Sequence, residues 1–167
     1  MVAISLGTGI GSALIEAGQI VSGGPSVPPD GRVYQLLARG SPLEERVSRR
    51  AIIAAYRHLA PSSPPAGQDV RDIAAAALGG DQVAVRVFEQ AFSLLGEALS
   101  PWLIRFRAQV LVVGGGLSAS WALIDGPMRM GLGEVARDIV MVRSANTEDA
   151  IAAGAAWHAM TAITIGA

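Results

Sequence analysis

The hydrophobic pattern opens at once. Residues 2–6 are apolar and β-leaning, and Gly7-Thr8-Gly9-Ile10-Gly11 then turns the chain. Residues 12–16 form a second β-leaning run, Ala17-Gly18 a turn, and 19–22 a third run. Short strands joined by glycine turns predict an antiparallel meander. Gly23-Gly24-Pro25 and Pro28-Pro29-Asp30-Gly31 break the pattern, so 23–40 reads as a long loop, functional or disordered. Ser41-Pro42 can cap and start a helix, predicted over 41–58 with Leu43, Val47, Ile52, Ala55 and Leu59 among its apolar positions.

A proline-rich linker follows at 60–67. Asp69 caps a short helix that Gly79-Gly80 ends, and Asp81 caps a long one. In the long helix Ala84, Val87, Phe88, Ala91, Leu95, Ala98, Leu99, Trp102 and Phe106 keep helical spacing, which predicts one buried face. Pro101 is expected to kink or interrupt it. Residues 110–113 are wholly apolar and read as a buried parallel strand. Gly114-Gly115-Gly116 leads into a helix predicted over 117–130, then a strand over 139–142. Asn146 or Thr147 caps a last helix predicted over 146–160. Three strands followed by helix, strand, helix, strand and helix is the order of a ribonuclease-H-like α/β lobe, a mixed sheet with flanking helices.

The 167 residues suit one domain, and a 51% apolar share makes it globular. A net charge of −1 leaves no basic footprint for nucleic acid. Every strongly basic residue is arginine. Without lysine there is no Walker A lysine, Schiff base or lysine base, so bound phosphate must meet backbone N–H groups, hydroxyls or arginine. Zero cysteines exclude disulfides and thiolate zinc sites, and with only His58 and His158 no structural metal is expected. No apolar run suits a membrane span and no secretory leader is evident, which reads as a soluble, cytoplasmic protein. A core strand that starts at Met1 suggests a chain cut at a domain boundary; a natural short N-terminus is the other reading.

Two segments carry candidate chemistry. Around Gly7, Thr8, Gly9 and Gly11 the backbone can approach a ligand closely and offer N–H groups to anionic oxygens; the alternative is a plain glycine-rich hairpin. At Gly114, Gly115 and Gly116 a buried strand ends and a helix begins, which suits a ligand at the strand end; the alternative is close helix–strand packing. A β-carbon at Gly115 is expected to block the ligand and leave the phosphate loop intact. His58 and His158 suit the surface of helix ends, and Trp102, Trp121 and Trp157 suit core or interface anchors. Arg49 and Arg50, beside Glu45 and Arg46, read as an exposed helix face with phosphate binding left open.

Taken in order, LGTGIG, PLEERVSRRAI, the GGD turn, VVGGGLS and AIAAGAAWHA resemble the C-terminal lobe of the ROK (repressor, open reading frame, kinase) family, over nearly the whole chain. The resemblance implies an actin/hexokinase-type lobe of a glucokinase-like enzyme that uses ATP with Mg²⁺ to phosphorylate a hexose. It implies that Thr8 and its flanking glycines meet the phosphates, that Gly114, Gly115 and Gly116 line the adenosine pocket, and that Glu44 hydrogen-bonds the sugar. A solvated first-turn carboxylate is the other reading of Glu44.

The departures are specific. Pro29-Asp30-Gly31-Arg32 stands where the family has Glu-x-Gly-His, and the zinc cysteines are missing, so zinc is not expected. The first phosphate loop and the catalytic aspartate belong to the family's N-terminal lobe, absent from these residues, so no catalytic residue is assigned. A homodimer through this lobe is expected. The rival readings are a degenerate effector domain of a transcriptional repressor or another non-catalytic sugar-binding module, and a purely structural or oligomerising domain.

Overall fold

In the computed structural model of this chain the described residues are 1–60 and 67–145. The predicted helix over 146–160, with Trp157 and His158, and most of the proline-rich linker lie outside them.

The chain opens with the expected meander. Strand β1 (Val2–Leu6) pairs antiparallel with β2 (Ile10–Glu16), and β2 pairs with the short β3 (Gln19–Ile20). Val2, Ile4 and Leu6 alternate inward, while Ala3 and Ser5 remain half-buried on the other face. This is the two-residue side-chain period of a strand with one face packed.

The 23–40 loop is not shapeless. It holds two 3₁₀ turns, Pro29–Gly31 and Val33–Gln35. Ser12 on β2 pins them: its hydroxyl donates to the Gly31 carbonyl at 2.6 Å and accepts from the Val33 N–H at 3.1 Å. Helix formation at Ser41-Pro42 is corrected. Leu37–Ala38 (β4) and Ser41–Pro42 (β5) form a small hairpin instead. Arg39 and Gly40 turn it with φ of 52° and 82°. Two positive φ values suit a two-residue hairpin, but an arginine at the first hides the signal.

The predicted single helix is two, α1 (Glu44–Val47) and α2 (Arg49–Leu59). Ser48, with ψ of 162°, breaks the run and caps α2 by accepting from the Ala51 N–H. Tyr56 on α2 is buried, whereas Ala55 and Leu59, expected on the apolar face, are exposed.

Asp69 and Asp81 cap their helices as expected. Asp69 and Asp72 form a reciprocal capping box on α3 (Val70–Leu78). Asp81 accepts from the Val83 and Ala84 N–H groups at the start of α4 (Gln82–Phe106). Helix α4 passes through Pro101 without ending. The carbonyl deprived of a partner belongs to Glu97; both residues are exposed, so water can satisfy it. Its buried face is broader than predicted, since Phe92, Leu94 and Leu103 join Phe88, Leu95 and Leu99.

Strand β6 (Val110–Gly114) follows, parallel to β1. Only Leu111 and Val113 are buried; Val110 and Val112 are half-exposed. In place of one helix over 117–130 come a 3₁₀ stretch, Gly116–Leu123, broken at Ser120, and α5 (Asp125–Leu132). Helices α4 and α5 approach backbone to backbone. A methyl group added at Gly96 would sit 2.7 Å from the Leu132 nitrogen and 2.9 Å from the Gly131 carbonyl carbon. Short helix α6 (Val135–Asp138) leads into β7 (Val140–Arg143), parallel to β6. The sheet order is β3-β2-β1-β6-β7. Three antiparallel strands extended on the β1 side by two parallel ones, with helices packed on the sheet, make the mixed α/β lobe that the element order predicts.

Tyr56 ties α2 to the start of α4, its hydroxyl donating to Asp81 at 2.6 Å. That bond, with the two backbone N–H groups, holds the Asp81 carboxyl below its ordinary value of 3.8 and pushes the Tyr56 hydroxyl up. A carboxyl depressed in the fold stabilises it above the unfolded pKa, and that contribution is lost as pH falls through the folded value. Urea midpoints should therefore fall as the solution is acidified from about pH 5 towards pH 2. Asp81→Asn keeps a capping side chain and removes the charge, so its deficit against wild type should shrink over that window. A deficit constant with pH would contradict this account of Asp81.

Candidate functional site

The loop between β1 and β2 is short and held from beneath. The Gly7 N–H donates to the Gly9 carbonyl at 3.0 Å, closing a tight turn around Thr8. The Arg49 N–H, first in α2, donates to the Gly7 carbonyl at 2.9 Å. Glu44, first in α1, accepts from the Ile10 N–H through Oε2 at 3.0 Å. The Gly7 carbonyl and the Ile10 N–H are thus tied to the starts of α2 and α1. The Thr8 and Gly9 amides find no partner among the described residues, and Thr8 is exposed. Two unpaired N–H groups and a hydroxyl at one tip are donors for an anion.

Glu44 is neither a free surface carboxylate nor remote from the loop. It is half-buried, and a β-carbon at Gly9 would collide with it. Its second oxygen, Oε1, has no partner among the described residues. Glu44 shares a groove with Thr8, Gly9, Gly11 and Tyr34, the last contributed by the 33–35 turn. Asp30 and Arg32, in the segment that departs from the family, pair with each other at 3.5 Å on the surface.

On the other side of the same loop lies a cleft lined by Gly7, Thr8, Arg49, Asp69, Arg71, Gly116 and Ser120. The structure therefore brings the two glycine segments together. It also brings in Arg49, read from the sequence as an exposed helix face, and Asp69, read as a helix cap. Arg49 donates from Nε to Asp69 Oδ1 at 2.7 Å. The Arg49 guanidinium, with the Val70 N–H, holds the Asp69 carboxyl below the usual range. Asp69 was legible as a helix cap; its second partner, twenty residues away in sequence, was not.

The glycines divide into two groups. Gly115 has φ of 83°, and a β-carbon there would lie 2.5 Å from the Leu6 nitrogen and 2.8 Å from its carbonyl carbon. Its first duty is packing against β1, and Ser118 beside it is buried with an unpartnered hydroxyl. The expectation that a side chain at Gly115 would only obstruct a ligand is corrected, because the backbone of β1 occupies that space. Gly7 and Gly116 differ: added β-carbons would meet nothing within 4 Å, and both line the cleft. A β-carbon at Gly114 would meet the Ser144 side chain at 3.4 Å.

His58 is exposed in the last turn of α2 and lies apart from the cleft. Trp121 packs on the core, and the Arg105 guanidinium sits 4.9 Å from the Trp102 ring centre. Among the described residues there is no cluster of three or more His, Cys, Asp and Glu that could hold a metal, and no helix long and apolar enough to cross a membrane.

A mixed sheet with two glycine turns leaving neighbouring strand ends at one cleft defines a lobe of the actin/hexokinase type. The chain belongs to the ROK family, whose model matches residues 1–162. It is similar to the glucokinase of Thermotoga maritima, 26% identical over 171 residues, covering 91% of this chain and 52% of that protein. Among solved structures, a ROK family glucokinase from Streptomyces griseus in complex with glucose and AMPPNP superposes with a TM-score of 0.68 at 22% identity, covering 85% of this chain and 54% of that one. A ROK family transcriptional regulator, a homologue of the E. coli MLC protein, superposes at 0.61 with 24% identity, covering 85% and 41%. The chain spans about half the length of the glucokinases it matches.

The division of glycines is testable. Gly115→Ala should destabilise the fold by about 1–3 kcal/mol, as overpacking against immobile backbone does. Gly116→Ala should leave the urea midpoint close to wild type. Equal midpoints for the two variants would contradict the division.

Proposed function

We propose that this chain is the C-terminal, nucleotide-binding lobe of an ATP-dependent hexose kinase. The observation that carries the reading is the cleft shared by the two glycine segments, Gly7-Thr8 and Gly116, which are distant in sequence. In this reading Thr8 and the free amides of its turn meet the phosphates, and the Gly114–Gly116 turn lies along the nucleoside. Space is open at Gly7 and Gly116, where an added β-carbon would meet nothing within 4 Å. Magnesium takes phosphate oxygens and water in preference to protein cages, so it asks for no acidic cluster in this lobe. When bound, the ion would neutralise charge on the transferred phosphoryl group.

Glu44 gives the sugar a place in the same scheme. One carboxylate oxygen fixes the Gly9–Ile10 peptide, and the other is left to accept from a hexose hydroxyl. Sugar and phosphate loop would then be coupled through one side chain. The base for the attacking hydroxyl and a second phosphate loop are expected from another lobe, which makes this chain alone catalytically silent.

A second reading has its own observation. Asp30 and Arg32 satisfy each other at the surface in the segment where the family's sugar-binding side chains would lie. That favours a member of the family that has lost hexose recognition, such as the effector domain of a repressor.

Calorimetric titration with ADP and with glucose separates these readings. ADP should bind with a dissociation constant near millimolar, on the order of −4 kcal/mol for half a cleft. Thr8→Ala should remove a hydrogen bond to a charged group, about 1.5–3 kcal/mol, weakening ADP roughly tenfold or more. Glucose binding that Glu44→Ala abolishes supports the kinase reading; ADP binding without glucose binding supports the second. A coupled assay with ATP, Mg²⁺ and hexoses should stay at background. ADP affinity that is equal in wild type, Thr8→Ala and Gly116→Val would overturn the nucleotide assignment.

A further inference from the structure

The groove that Glu44 shares with Thr8 and Gly9 has a second wall in Tyr34. Strand β2 fixes both walls. Its Ile10 N–H donates to Glu44 Oε2, and two residues on, the Ser12 hydroxyl accepts from the Val33 N–H and so holds the 33–35 turn that carries Tyr34. Tyr34 is half-buried and packs on the core, so its ring is braced in advance of a ligand. Gln35 donates from Nε2 to the Tyr34 hydroxyl oxygen at 3.1 Å. That bond occupies an oxygen lone pair and leaves the phenolic proton without an acceptor among the described residues. Glu44 Oε1 is its counterpart, an acceptor without a donor among the same residues. Asp30 and Arg32, engaged with each other at the surface, are not among the residues that line the groove.

An unused phenolic donor and an unused carboxylate acceptor on one groove match a ligand whose hydroxyls both give and accept hydrogen bonds. The tyrosine ring adds a flat apolar surface beside its polar tip, which suits the C–H face of a ring-shaped polyol. Among the described residues Glu44 is the one charged side chain along the groove, so a second carboxylate beside it would meet repulsion with no cation to offset it. We infer that Tyr34 is a specificity-determining residue for the sugar. Its hydroxyl donates to an oxygen of an uncharged polyol, and another hydroxyl of the same ligand donates to Glu44 Oε1. The ligand class is a neutral monosaccharide, with acidic sugars disfavoured. The inference rests on the placement of a sugar at Glu44, and it assigns to Tyr34 the recognition that Asp30 and Arg32 do not supply.

The test is an amide-shift titration of the isotope-labelled 167-residue chain with glucose and, separately, with glucuronate. The proteins are wild type, Tyr34→Phe, Tyr34→Ala and Glu44→Ala, each with circular dichroism matching wild type. Tyr34→Phe keeps the ring and its packing, so it tests the hydroxyl even if Tyr34→Ala fails to fold. Glucose should move the Gly9, Tyr34 and Gln35 amides of wild type together. Tyr34→Phe should weaken glucose about threefold to tenfold, and Tyr34→Ala about tenfold or more, as the loss of one hydrogen bond and then of the ring surface requires. Glucuronate should bind wild type at least about fivefold more weakly than glucose. If Glu44→Ala abolishes glucose binding while both Tyr34 variants bind as wild type does, the sugar reading stands and the role of Tyr34 falls. Glucose affinity unchanged in Tyr34→Phe alone removes the phenolic donor and overturns the inference too. Glucuronate bound as tightly as glucose overturns the assigned ligand class. Wild type that binds neither sugar overturns both the inference and the sugar reading beneath it.

Discussion

The approach of Gly115 to the backbone of Leu6 is the contact on which this lobe depends. Strands β1 and β6 run parallel with Ser5 opposite Gly114, so both end at one edge of the sheet. Each then turns through glycine. With a side chain at Gly115 the second turn could not fold over the end of the first strand. The parallel pairing sets the register, the missing β-carbon sets the distance, and the cleft between Gly7 and Gly116 follows from both. A ligand at the ends of parallel strands is a general property of such sheets; here one glycine decides how near the two turns come.

Electrostatics then specialises the edge. A chain without lysine has mainly backbone donors, hydroxyls and arginine to offer an anion. Among the described residues the Thr8 and Gly9 amides of the first turn are unpaired, while Arg49 and Glu44 engage the Gly7 carbonyl and the Ile10 N–H from below. Arg49 therefore acts twice: its backbone N–H steadies the loop, and its side chain, oriented by Asp69, reaches the cleft. The pair is partly exposed, with the Arg49 side chain at 50% and Asp69 at 34%, so its value is orientation more than stability.

Much of this was legible in the sequence, for identifiable reasons. The meander, the strand ending at the second glycine turn and the aspartate caps of α3 and α4 rest on local signals: short apolar runs, glycine turns, a carboxylate before a helix. The places where reading failed depend on partners far along the chain. Arg39-Gly40 turns a hairpin although arginine rarely takes positive φ. Ser48 ends one helix and caps the next inside what reads as a continuous pattern. Glycine residues look alike in sequence, yet Gly115 serves β1, Gly9 makes room for Glu44, and Gly7 and Gly116 face open space. Arg49 read as a surface cation because Asp69, which orients it, lies twenty residues away and meets it where α3 packs against α2.

The central claim is that two distant glycine turns form one nucleotide site, and amide chemical shifts test it most directly. Isotope-labelled protein titrated with ADP should show the Gly7, Thr8, Gly9, Gly116 and Ser120 amides shifting together with a single dissociation constant. The β3 amides at Gln19 and Ile20, at the far edge of the sheet, should stay still. Shifts confined to one of the two turns, or different midpoints for the two, would contradict the account.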